Sequence, residues 1–129
     1  MSTLTEKKVI GDLVLNEWDQ RATRKAGRIE NDTGAAATFV IGQVLEADST
    51  HFQPADGTTF GGILLKNLDE LANAAGIDNI PILYRGPAIV NRDALVWDAG
   101  ATQADVIAAM ELLGIVLVDE PDNSEVAGE

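Results

Sequence analysis

The sequence contains no cysteine. That absence excludes disulfides, thiolate metal sites and cysteine nucleophiles together. Histidine is scarce as well, since His51 is the only one. One histidine without cysteine is a poor start for a zinc site. A histidine base also needs a nucleophile beside it and a group to orient it. Serine is sparse and no Gly-x-Ser-x-Gly elbow occurs. His51 stands in a polar loop and reads as a surface residue. Long hydrophobic runs are missing too, and none approaches the roughly 18 residues that would cross a bilayer. The opening Met1-Ser2-Thr3-Leu4-Thr5-Glu6-Lys7-Lys8 is polar, with no secretory apolar region. A soluble protein made in the cytoplasm, with no membrane partner, is expected.

Basic charge is also in short supply. Nine Lys and Arg face 21 Asp and Glu, and the net charge is -12. An acidic surface is repelled by phosphate backbones, so no nucleic-acid partner is expected. The charge is uneven, however. Six of the nine basic residues (Lys7, Lys8, Arg21, Arg24, Lys25, Arg28) fall in the first 28 positions. Only Glu6, Asp12, Glu17 and Asp19 oppose them there, so this stretch carries +2 and the rest -14. A basic leader on an acidic body fits an interaction arm and also a solvated terminus.

What is present is enough for one domain. The chain has 129 residues, 46% of them hydrophobic. A domain of that size buries about two-thirds of its unfolded surface. Residues 1–26 hold one apolar cluster, Val9-Ile10-Gly11-Asp12-Leu13-Val14-Leu15, among charges. It reads as a leader that is loose alone and extends as a strand when paired. Asn31-Asp32-Thr33-Gly34 is a turn signal. Thr38-Phe39-Val40-Ile41-Gly42-Gln43-Val44-Leu45 reads as a strand, with Gly42 marking a bulge or a close backbone approach. Phe60-Gly61-Gly62-Ile63-Leu64-Leu65 reads as another strand. So does Ile80-Pro81-Ile82-Leu83-Tyr84, with Pro81 at an edge or a strand start. Residues 67–72 suit a short helix capped by Asn67 or, equally, a loop. Ala88-Ile89-Val90 and Ala94-Leu95-Val96-Trp97 flank a tight corner at Asn91-Arg92-Asp93.

The best-defined element follows. Thr102 with Asp105 reads as a capping box, Val106, Ile107, Met110 and Leu113 as one apolar stripe, and Gly114 as the stop. Ile115-Val116-Leu117-Val118 is a final strand. Residues 119–129 form an acidic tail expected to be disordered. A mostly β domain with one helix near its C-terminus results.

Chemistry-bearing motifs are lacking. Asp69-Glu70 and Asp119-Glu120 carry no acid–base pattern, and no segment matches an EF-hand loop. Gly61-Gly62 lacks phosphate-loop spacing. Arg85-Gly86-Pro87 reads as an anion contact or, preferably, as a turn with a structural salt bridge. No catalytic residue, metal or cofactor is expected. Trp97 ends a β run and belongs to a core. Trp18 lies in the leader, where a large ring suits either an anchor in a partner or packing on its own domain.

Gly11-Asp12-Leu13, Asn16-Glu17-Trp18-Asp19 with Arg21 and Arg24, the run from Tyr84 to Trp97, and Leu112-Leu113-Gly114-Ile115-Val116 together resemble lambda-type phage head decoration proteins. The resemblance spans about residues 10–118. It departs from the family in the acidic tail and in residues 67–79. It implies a small β-clip-like domain over residues 27–118, with residues 1–26 as a flexible capsid-binding arm. It further implies a homotrimer at threefold points outside an expanded phage head. The arm would order on binding by adding a strand to the major capsid protein. Leu13, Val14, Leu15 and Trp18 would then supply apolar anchors, and Arg21, Arg24 and Lys25 would meet acidic capsid surface. Strand addition gains main-chain hydrogen bonds, and three linked arms multiply avidity by roughly 10²–10⁴. The alternative is a small-ligand or receptor/glycan-binding β module, with its site around His51 and Arg85.

Overall fold

The computed structural model describes residues 13–48 and 50–119. The elements run β1 (Val14–Glu17), α1 (Gln20–Thr23), β2 (Arg24–Glu30), β3 (Val44–Ala47), β4 (Phe52–Pro54), β5 (Gly62–Leu64), β6 (Gly76–Leu83) and β7 (Ala88–Asn91). A 3-10 turn (Arg92–Ala94), α2 (Gln103–Leu112) and β8 (Ile115–Val118) complete them. The fold is mostly β with one substantial helix near the C-terminus, as the sequence predicts. Strands β2, β4, β3, β5 and β6 close into a barrel in that order, and β1, β7 and β8 form a separate sheet.

Strand alternation explains how the two parts hold together. Successive side chains on a strand point to opposite faces. On β3, Leu45 points into the barrel and Val44 out of it; Leu64 and Ile63 of β5, and Ile82 and Leu83 of β6, divide the same way. The barrel interior also takes Ile29, Phe52 and Ile80. The outward set packs against Leu13, Ala88, Val90, Ile115 and Leu117, with Val106 and Met110 of α2 and a half-buried Trp97. One barrel wall thus serves two cores.

Several elements match their sequence signals. Gly42 has φ +101°, and a Cβ there would lie 2.2 Å from the Ala94 carbonyl oxygen, the close approach expected. Gly114 ends α2 at φ +86°. Asn91 turns the corner by accepting from the Asp93 N–H at 3.0 Å.

Others differ for identifiable reasons. The strand expected over residues 38–45 is regular only from Val44, because the chain turns at Ile41–Gly42. Pro81 lies inside β6, not at its start, but β5 pairs only with Ile82 and Leu83, just beyond it. Residues 67–72 form a loop. Asn67 Oδ1 accepts from the distant Ile41 N–H (2.9 Å), and Asn31 Nδ2 donates to the Leu71 carbonyl (2.8 Å). These groups are taken by remote partners before a helix can use them. Thr102 stands at the start of α2 but makes no side-chain cap bond, so no capping box forms. Leu113 lies 44% exposed, outside the buried stripe of Val106 and Met110.

The expected arm is partly paired within the subunit. β1 lies antiparallel to β7, and β2 lies antiparallel to β6, so the boundary drawn at residue 26 falls inside β2. Leu13 is 1% exposed and sits in the core beside Val90. Leu13 and Val14, which look homeless from their neighbours in sequence, are housed by a strand far along the chain. Residues 1–12, the rest of the arm, and residues 120–129, most of the acidic tail, lie outside the described residues.

Candidate capsid-facing surface

The β1–β7–β8 sheet has one buried and one open face. Val14 pairs with Val90 and Ala88 with Ile115, all turned toward the core. The register places Asn16 opposite Ile89, and Ile89 opposite Val116, on the other face. Trp18 follows at the end of β1, its N–H donating to the Pro87 carbonyl at 2.9 Å. With Asn16, Glu17, Pro87, Ala88 and Ile89, its ring lines a shallow open groove. Trp18 is 70% exposed, Val116 50%, Leu15 41% and Ile89 36%. At the neighbouring helix end, Leu112 and Leu113 are exposed too. Clustered exposed apolar side chains of this kind mark interaction surfaces.

The Trp18 segment is braced from below. The Glu17 side chain turns inward and accepts from Arg24 Nε at 2.9 Å, from Arg24 Nη2 and from the Thr23 hydroxyl. Burial pushes the Glu17 carboxyl up, but the hydrogen bonds from Arg24 and Thr23, with the Arg24 charge, outweigh it. The result lies below the ordinary 4.5. Asp19 caps α1 by accepting from the Arg21 N–H at 3.0 Å. Arg85 Nε donates to the Ala22 carbonyl at 2.7 Å, so its structural partner is a main-chain oxygen where the sequence reading preferred a salt bridge.

The expected contact residues therefore divide. Leu15, Trp18 and Arg21 point outward. Lys25 lies over the rings of Tyr84 and Phe52, 4.7 and 5.3 Å from their centroids. Leu13 and Val14 pack on the subunit's own core, and Arg24 is held by Glu17. Sequence reasoning missed Asn16, Ile89 and Val116. The alternation of Ala88-Ile89-Val90 was the available signal for Ile89.

His51 departs from its expected surface role, since its side chain is only 10% exposed. Its ring lies against Glu30, at the far end of β2 from Ala22, where Arg85 is anchored. Seven extended residues span about 20 Å, so His51 and Arg85 do not share one ligand site. Glu30, Asp32 and His51 are the one group among the described residues whose side-chain atoms converge closely enough to consider a cation. No helix among those residues is long and apolar enough to cross a membrane.

A small closed barrel is thus backed by a sheet whose outer face exposes Trp18, Ile89 and Val116. The chain belongs to the bacteriophage lambda head decoration protein D family, which it matches over residues 3–116. It is a phage head decoration protein, and its place is the virion capsid. No curated protein sequence matches it.

Proposed function

We propose that the protein binds the outside of the expanded phage head as a homotrimer at threefold sites, and that it stabilises the shell against internal DNA pressure. The major capsid protein is the partner, and the structural role involves no catalysis. The observation that carries the reading is Trp18, 70% exposed on a segment braced by Glu17 and Arg24. An exposed tryptophan on a fixed backbone loses little freedom on docking and gains a large contact area.

Among the described residues β1 is an edge strand, paired with β7 alone. Its other edge offers unpaired main-chain groups to a capsid strand. Leu15 and Trp18 supply the apolar contacts, and Arg21 and Lys25 face acidic capsid surface. Leu13, Val14 and Arg24 act indirectly, by fixing β1 in place. Residues 1–12 extend the contact as the leader.

The test is binding of purified protein to expanded and unexpanded shells. Wild type binds the expanded form alone. Trp18→Ala keeps the fold and the trimer but binds about 30-fold more weakly, the loss expected of a central anchor. Removing residues 1–12 also weakens binding; a cut at residue 26 is unsuitable because it deletes β1 and part of β2. Wild-type affinity of Trp18→Ala refutes the reading.

A further inference from the structure

The barrel has one thin seam. β2 pairs with β6 over six matched positions but meets β4 in parallel at a single register pair, Ile29 and Phe52. The next residues on either side of that pair are Glu30 and His51. We propose that His51 is a proton-operated clamp on this seam: its charged ring fastens the end of β2 to the start of β4 through both nitrogens, and its neutral ring loosens them by giving up the link to Glu30.

The surroundings of the ring are built for a cation. Nε2 lies 3.1 Å from Asp32 Oδ2, 3.2 Å from Gln53 Oε1 and 3.8 Å from Asp48 Oδ2. Nδ1 lies 3.6 Å from Glu30 Oε1 and 3.2 Å from the Thr50 hydroxyl. Gln53 uses its amide nitrogen to donate to Glu46 Oε2 at 2.7 Å, which leaves its oxygen for His51. Nε2 must therefore carry a hydrogen. In the neutral ring the Nδ1 lone pair accepts from the Thr50 hydroxyl and lies against the Glu30 carboxylate, which repels it. In the charged ring both nitrogens donate, and both have acceptors.

The charges facing the ring are lopsided. Glu30 comes from β2, Asp32 from the turn after it, Asp48 from the β3–β4 turn, and Glu46 acts from β3 through Gln53. The opposing cation is Arg28, which binds Glu30 Oε2 at 2.8 Å and is shared with Asp78 of β6. A proton suits this arrangement better than a metal ion. Glu30 and Asp32 flank opposite ring nitrogens, whereas a metal takes one, and Arg28 already occupies the second oxygen of Glu30. Burial of the ring opposes its charge, but the hydrogen bonds to Gln53 and Asp32 and the fields of Glu30 and Asp32 prevail and raise its pKa above the ordinary 6.5. A group raised on folding stabilises fully below 6.5, and that stabilisation is lost as pH climbs through the folded value. The barrel is thus tightest in mild acid, whether or not the protein is on a capsid.

Because His51 is the only histidine, its ring signals in NMR spectra of the full chain are unambiguous. Titration in the presence of EDTA gives a midpoint above 6.5, and Asp32→Asn lowers it. Thermal unfolding of wild type shows Tm falling as pH rises through that midpoint, while His51→Gln is flat across the same window. Amide protection at Ile29 and Phe52, corrected for intrinsic exchange, falls over the same range. A midpoint at or below 6.5 overturns the clamp. So does a ring that titrates only once EDTA is added, or a His51→Gln variant that keeps the wild-type pH slope. If that variant does not fold, the midpoint of Asp32→Asn decides, and an unchanged midpoint overturns the proposal.

Discussion

Gly86 shows how a single position ties the two ends of the sheet together. Its N–H donates to the Leu113 carbonyl at 2.8 Å, and its Cα faces the main chain of Gly114. A Cβ at Gly86 would sit 2.0 Å from the Gly114 carbonyl oxygen. Backbone cannot yield as a flexible side chain can, so the entry to β7 and the exit from α2 would have to separate. Gly86→Ala is expected to cost about 1–3 kcal/mol in urea denaturation, the range for overpacked sites. Gly57 has nothing within 4 Å of the corresponding position. Gly57→Ala is the control and changes stability by less than about 0.5 kcal/mol. Neither outcome follows from glycine content; each follows from what lies opposite the missing Cβ.

At the scale of elements, the β1–α1–β2 corner depends on Glu17. Its side chain is 6% exposed and joins the end of β1 to the start of β2 through Arg24 and Thr23. A carboxyl whose pKa is lowered on folding contributes stability above the ordinary 4.5 and loses it as pH falls through the folded value. Glu17→Gln should therefore lower the urea midpoint at neutral pH, by an amount equivalent to about 1–3 kcal/mol. The gap to wild type should narrow below pH 4.5 as the native carboxyl protonates. An equal gap at all pH values would mean that Glu17 acts through packing alone. Shell binding should weaken in the same variant, because Trp18 is the next residue and loses its brace.

For the whole molecule, the shared wall of β3, β5 and β6 decides cooperativity. Leu45, Leu64 and Ile82 hold the barrel interior, while their neighbours Val44, Ile63 and Leu83 hold the second core. Neither core can open without displacing strands that complete the other. Urea unfolding is expected to be a single transition, with far-UV circular dichroism coinciding with Trp97 fluorescence in a Trp18→Phe background. Separated transitions would show that the sheet-and-helix layer melts independently of the barrel.

The sequence alone determined what local signals can carry. The α2 span, its stop at Gly114, the strand after it, the close approach at Gly42 and the mostly β character are each written within a few residues. The ordered set of segments that carried the family resemblance was legible in the same way. Tertiary structure alone decided the rest. Leu13 and Val14 are housed by β7, residues 67–72 give up their helix to Asn31 and Ile41, and His51 is enclosed by acids from β2, the turn after it and the β3–β4 turn. In each case at least one deciding partner lies far along the chain. Its contribution exists only after the barrel closes, and a reading by neighbours cannot weigh it.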